Sequence, residues 1–130
     1  AGDSRTCRLS AVPLLVHAVP PFAAVGTRPA DLPSAPPLAS ATIPFEGSAW
    51  SAVHGAAPGL VRLHADARTG ELLSVQAIGP GAHEIAGIAG MLMQAEATLD
   101  QLAAGLGWHP APAELLVEAA RRAAAQARRA

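Results

Sequence analysis

At 130 residues the chain is long enough for one domain with one hydrophobic core. It is 51% hydrophobic, but much of that is alanine, with only two Phe and two Trp, so the core must come from the Leu, Ile and Val positions. A formal net charge of −1 gives no electrostatic footing for a nucleic-acid partner.

Residues 1–10 show no periodicity and read as a flexible N-terminal segment. The remainder, 11–130, reads as a single domain. The chain starts with Ala1 rather than Met, which suggests a trimmed or excised piece. Leu14-Leu15-Val16-His17 reads as a short strand bounded by Pro13 and Pro20, and Phe22 to Gly26 as a second extended piece. The four prolines between 27 and 37 leave little to pack there, so an open Pro-rich loop is expected. Leu38 to Phe45 alternates weakly, as a strand would.

The middle is clearer. Val61-Arg62-Leu63-His64-Ala65 alternates apolar and polar, as a half-buried strand does. Asp66 to Gly70 is a turn in which Gly70 can take positive φ. Leu72 to Ile78 returns as a strand, so the two should pair as an antiparallel hairpin. Gly79-Pro80-Gly81-Ala82 turns the chain into a helix from about His83 to Ala97, with Ile85, Ile88, Ala89 and Leu92 on its buried stripe. Thr98 with Gln101 forms a capping-box pattern at the head of a helix over Leu99 to Leu106. The last helix begins near Pro112 and buries Leu115, Leu116 and Ala119. Strands first and then three helices define an α+β domain, an antiparallel sheet with its helices segregated on one side.

Trp108 to Glu114 is the segment that looks built for chemistry. His109 precedes the helix on a stretch stiffened by Pro110, and Glu114 falls in the first turn at the positive end of the dipole. A carboxylate within reach of an imidazole raises its basicity and holds one tautomer, as a general base requires. The same pattern also suits a surface histidine in a Pro-rich turn, with Glu114 serving only the dipole.

Other chemistries find less. Gly79-Pro80-Gly81 lacks the full GxGxxG, and Pro80 removes an N–H that a phosphate would use. His54, His64, His83 and His109 fit no metal-ligand spacing, so no metal is expected. Cys7 is the sole cysteine and allows no CxxC pair, which makes a reducing, cytoplasmic setting the default. The apolar run from Ala11 to Val25 is broken by prolines and too short to span a membrane. Arg121, Arg122, Arg128 and Arg129 end an Ala-rich helix, where cations complement the dipole.

Several segments together resemble a known family. Ala11-Val12-Pro13-Leu14-Leu15-Val16 resembles its entry strand, and Pro21-Phe22-Ala23-Ala24-Val25-Gly26 its proline-to-VG stretch. Gly59 to Leu63 with Thr69 to Leu73 resembles its central hairpin, and Gly79-Pro80-Gly81-Ala82-His83-Glu84-Ile85 its GPxAxExI helix entry. His109-Pro110 with Glu114 resembles its HPTxxE signature. In this order the segments are similar to the C-terminal dimerisation domain of the pyridine nucleotide-disulphide oxidoreductases, the FAD enzymes that include dihydrolipoamide dehydrogenase and glutathione reductase.

The resemblance implies a homodimer in which His109 is the acid/base residue and Glu114 the carboxylate that orients it. The pair would reach the partner subunit's redox-active dithiol, with His109 and Pro110 near the partner's flavin. FAD and NAD(P) would belong to the full-length oxidoreductase, which acts on a disulphide or dithiol substrate and is most similar to dihydrolipoamide dehydrogenase. This fragment would bind neither cofactor and be inactive alone. Ala1-Gly2-Asp3 resembles the family's late flavin-contacting motif. Three departures stand out: Ala111 replaces the family's Thr, residues 27–37 are Pro-rich where the family is helical, and Ser48-Ala49-Trp50 stands where an arginine is common. The alternative is a stand-alone, non-catalytic homodimerisation module derived from that family.

Overall fold

The computed structural model describes residues 6–32, 37–55 and 58–129. The chain contributes strands β1 (Leu14–Val16), β2 (Phe22–Gly26), β3 (Leu38–Pro44), β4 (Leu60–Asp66) and β5 (Leu72–Ile78). Its helices are α1 (Ala49–Val53), α2 (Ala82–Gln94), α3 (Leu99–Ala103) and α4 (Ala113–Ala127). One sheet results, in the order β1-β2-β5-β4-β3, with every neighbouring pair antiparallel. The α+β architecture is the one the element order implied.

The hairpin β4/β5 holds the centre. Val61, Leu63 and Ala65 are buried while Arg62 between them is exposed, so the period of two sends one set of side chains under the helices. The turn is closed by Asp66, whose Oδ1 accepts the N–H groups of Arg68 and Thr69 at 2.7 and 3.1 Å. Burial opposes ionisation of Asp66, but those N–H groups outweigh it and hold the carboxyl below its usual value. Gly70, at φ +75°, then accepts the Leu99 N–H at 2.7 Å, which ties the turn to α3.

The larger helices lie on one face of the sheet, α2 over β2 and β5 and α4 over β3 and β4. On α4 the buried residues include Ala119, Ala120, Ala123 and Ala124, so the helix axis can approach the strands closely. The alanine content that looked like a poor core is therefore the contact surface between layers. Leu63, Ile85, Leu116 and Phe45 supply the bulk beneath it, each worth about 1.5–3 kcal/mol of burial.

Several boundaries differ from expectation. Helix α1 was not anticipated: it is only five residues long, and it forms because the Ser48 hydroxyl oxygen accepts the Ser51 N–H at 3.0 Å. Helix α2 ends at Gln94 rather than Ala97, where the Ala97 N–H turns back to the Leu92 carbonyl and Glu96 takes φ +55°. Helix α3 ends at Ala103 rather than Leu106, and its Thr98–Gln101 capping box is formed. Leu9–Ala11 and Pro29–Asp31 are short 3-10 turns in stretches read as loose or open. Residues 1–5 and 33–36, within the expected N-terminal segment and Pro-rich loop, lie outside the described residues.

The basic C-terminal stretch is partnered. Arg121 donates to the carbonyls of Ala103 and Gly105 at 3.0 and 3.4 Å, Arg122 pairs with Glu118 at 2.7 Å, and Arg128 reaches Asp100 at 3.4 Å. Arg121 and Arg128 thus tie α4 to α3, while Arg122 pairs within α4. Among the described residues no helix is long and apolar enough to cross a membrane.

Candidate functional site

The site is assembled at the start of α4. The first-turn N–H groups of a helix need acceptors, and Pro112, with no N–H of its own, removes one such need. Glu114 answers another by turning its side chain back. Its Oε2 accepts the Ala111 N–H at 3.0 Å, while the Glu114 N–H lies 3.2 Å from the Ala111 carbonyl. This is the carboxylate half of a capping box, which survives although Ala111 has no hydroxyl for the other half. The retained half holds the carboxylate without the hydroxyl.

The second oxygen of Glu114 faces His109. Nδ1 of His109 lies 2.8 Å from Oε1. An ionised carboxylate only accepts hydrogen bonds, so Nδ1 carries the hydrogen and the neutral imidazole keeps its lone pair on Nε2. The His109 hydrogen bond, then the Ala111 N–H, hold the Glu114 carboxyl below the usual carboxylate range. The side chains remain reachable, His109 at 68% exposure and Glu114 at 38%.

Contacts behind the pair hold it in place. Gly81, at φ +84°, brings the head of α2 against the Pro112 ring, and the Trp50 indole N–H donates to the Pro80 carbonyl at 3.1 Å. Trp50 thus links α1 to the turn on which Pro112 rests. Sequence reasoning noted Trp50 only as a departure from an arginine; two tryptophans in an aromatic-poor chain were the available signal for a structural role.

The remaining histidines do not join the pair. His54 packs its ring on Trp50 with centroids 3.7 Å apart, and His83 is exposed on α2. His64 is half-buried rather than solvated: its Nδ1 lies 2.7 Å from the Ser40 hydroxyl, and burial, then Arg62, push its pKa down. Among the described residues no three His, Cys, Asp or Glu side chains gather to hold a metal. Cys7 lies beside Gly87, Gly90 and Met91 on the outer side of α2. The Gly79-Pro80-Gly81 turn is filled, Gly79 against Phe45 and Gly81 against Pro112, and offers no cradle to a dinucleotide phosphate.

A one-sided antiparallel sheet whose last helix opens on an exposed imidazole–carboxylate pair defines an α+β domain with that pair at its surface. Residues 12–120 match the family described as pyridine nucleotide-disulphide oxidoreductase, dimerisation domain, and the chain belongs to that family. It is 33% identical over 129 residues to the dihydrolipoyl dehydrogenase of Haloferax volcanii, covering 98% of this chain and 27% of that protein. To that of Halobacterium salinarum it is 32% identical over 125 residues, covering 95% and 26%. The chain therefore spans about a quarter of the length of these relatives. Its fold is that of part of LpdA from Mycobacterium tuberculosis, with TM-score 0.82, 24% identity and coverage of 91% of this chain and 26% of that one. It also matches the HOCl-induced flavoprotein disulfide reductase RclA of Escherichia coli, at TM-score 0.79, 23% identity and coverage of 85% and 26%.

Proposed function

We propose that this chain is the homodimerisation domain of an FAD-dependent, NAD(P)-linked disulphide oxidoreductase of the dihydrolipoyl dehydrogenase kind, and that His109 and Glu114 are the acid/base pair it lends to the partner subunit. The observation that carries this is the 2.8 Å contact between His109 Nδ1 and a Glu114 carboxylate whose other oxygen is fixed by the Ala111 N–H. Such a pair leaves Nε2 free to take a proton from a substrate thiol and later return it, and the thiolate is the nucleophile in dithiol chemistry. Glu114 stabilises the imidazolium formed in between. The thiols, flavin and nicotinamide belong to other parts of the enzyme, since this chain's glycine turn is filled and Cys7 lies away on α2.

The test is a chimera in which this chain replaces the matched segment of the Haloferax volcanii dihydrolipoyl dehydrogenase. His109→Gln in that chimera should lower dihydrolipoamide turnover by about 100-fold or more at unchanged flavin content. Turnover indifferent to His109→Gln would remove the residue from the mechanism and leave the non-catalytic homodimerisation module as the better reading.

A further inference from the structure

Helix α1 is too short to hold itself together, since an isolated helix is marginal below about 12–15 residues and this one has five. Its shape is imposed by what it touches. At its head the Ser48 hydroxyl donates to the Phe45 carbonyl at 2.6 Å while accepting the Ser51 N–H, which ties the turn to a fully buried residue. At its tail His54 is the cap: Nδ1 donates to the Trp50 carbonyl at 3.0 Å, and the imidazole lies on the Trp50 indole with the two planes tilted by 31°. One side chain thus holds Trp50 by its backbone and by its ring.

Trp50 in turn is aimed at the head of α4. Its indole N–H donates to the Pro80 carbonyl, and its Cζ2 lies 3.5 Å from the point where a Cβ on Gly81 would stand. The Cβ and Cγ of Pro112 lie 2.8 Å from that same point, so indole and proline ring share the space left by the missing side chain. Ala111 and Pro112 are buried, whereas His109 is exposed and Glu114 partly so. The backbone that carries the pair is therefore clamped while the pair itself projects. Glu114 depends on that backbone directly, through the Ala111 N–H on its Oε2. Misplacing a catalytic group by about 1 Å can cost on the order of 100-fold in rate.

We infer that Trp50, steadied by His54, is a positioning residue for the His109–Glu114 pair and sets its geometry through Pro80, Gly81 and Pro112. The inference rests on the acid/base reading of the pair above and extends it to a helix far away in sequence. It also gives α1 a purpose: five residues bury little by themselves, but they carry an indole to the one turn on which Pro112 packs. A phenyl ring in place of the indole would keep much of the packing beside Gly81 and lose the donor to Pro80, so the turn would lose its fixed point.

The test uses the flavin-loaded chimera described above. Trp50→Phe should lower kcat about tenfold while KM for dihydrolipoamide and the flavin content stay unchanged. The solvent deuterium isotope effect on kcat should rise, because a misaligned imidazole slows proton transfer relative to the other steps. His54→Ala, a change at an exposed position, should act in the same direction by about threefold. A Trp50→Phe enzyme with kcat within about twofold of wild type would overturn the inference. So would a loss that follows lost flavin at an unchanged isotope effect, which is what a merely structural role predicts. If Trp50→Phe fails to fold, His54→Ala decides alone, and wild-type kcat with a wild-type isotope effect would overturn the inference. His109→Gln separates the two readings. Turnover lost there but intact in Trp50→Phe removes the positioning role only, whereas turnover indifferent to His109→Gln removes the acid/base reading and the positioning role with it.

Discussion

Gly81 and Pro112 approach so closely that a Cβ on Gly81 would stand 2.8 Å from the proline's Cβ and Cγ. The contact joins the heads of α2 and α4, and the His109–Glu114 pair is built on the second of these. Gly81→Ala would meet both the ring and a φ of +84°, which side chains adopt at a cost of about 1–2 kcal/mol. A stability loss of roughly 2–3 kcal/mol in urea unfolding is expected, since the proline ring must also shift. A loss under about 0.5 kcal/mol would show that the two helix heads are not locked together.

Glu114 sets the tautomer of His109. In the wild-type chain, ¹⁵N chemical shifts of the neutral imidazole should report hydrogen on Nδ1. Glu114→Ala removes the acceptor, and the Nε2–H form should then dominate, as it does in free imidazole side chains. An unchanged tautomer would mean that the 2.8 Å contact does not direct the proton.

Acid should destabilise the fold in two stages. His64 has its pKa lowered by burial and by Arg62, so the unfolded state takes up the proton first. Its contribution is complete above about pH 6.5, the unfolded value, and is lost as pH falls through the lower folded value. Asp66 and Glu114, also lowered, contribute above the unfolded carboxylate range of about pH 4 and fade below it. Urea midpoints measured from pH 8 to 3 should show both declines, and His64→Gln should abolish the first alone.

Phe45 is the keystone at the end of β3. It is fully buried, and its ring packs so tightly on Gly59 and Gly79 that a Cβ on either would come within 2.7 and 2.8 Å of it. Phe45→Ala should cost roughly 3–5 kcal/mol in chemical unfolding, because the rigid glycine backbones around it cannot collapse into the space. A cost near 1 kcal/mol would mean that the β3–β4 end repacks.

Legibility followed the range of the interactions. Hairpin β4/β5 could be read because alternation at Val61 and Leu63 and the turn at Asp66–Gly70 are local signals. The Thr98–Gln101 box was legible for the same reason. Helix α1 was not, since five residues are too few to show a period. The stop of α3 at Ala103 was not legible either: the side chain that donates to the Ala103 carbonyl is Arg121, 18 positions away. The exposure of Leu106 and Trp108 depends on where the loop leaves the two helices, and no local pattern announces it.

His109 and Glu114 show both kinds of information at once. The sequence by itself determined their identities, a helix start that would place a carboxylate in its first turn, and the α+β order of the elements, because caps, turns and periodicity act over a few residues. Only the tertiary structure decided that β5 lies between β2 and β4, that Gly81 braces Pro112, and that the two side chains meet at 2.8 Å. Those outcomes depend on packing between segments far apart in the chain, where each contact is set by the shapes of surfaces that exist only once the sheet and helices have come together.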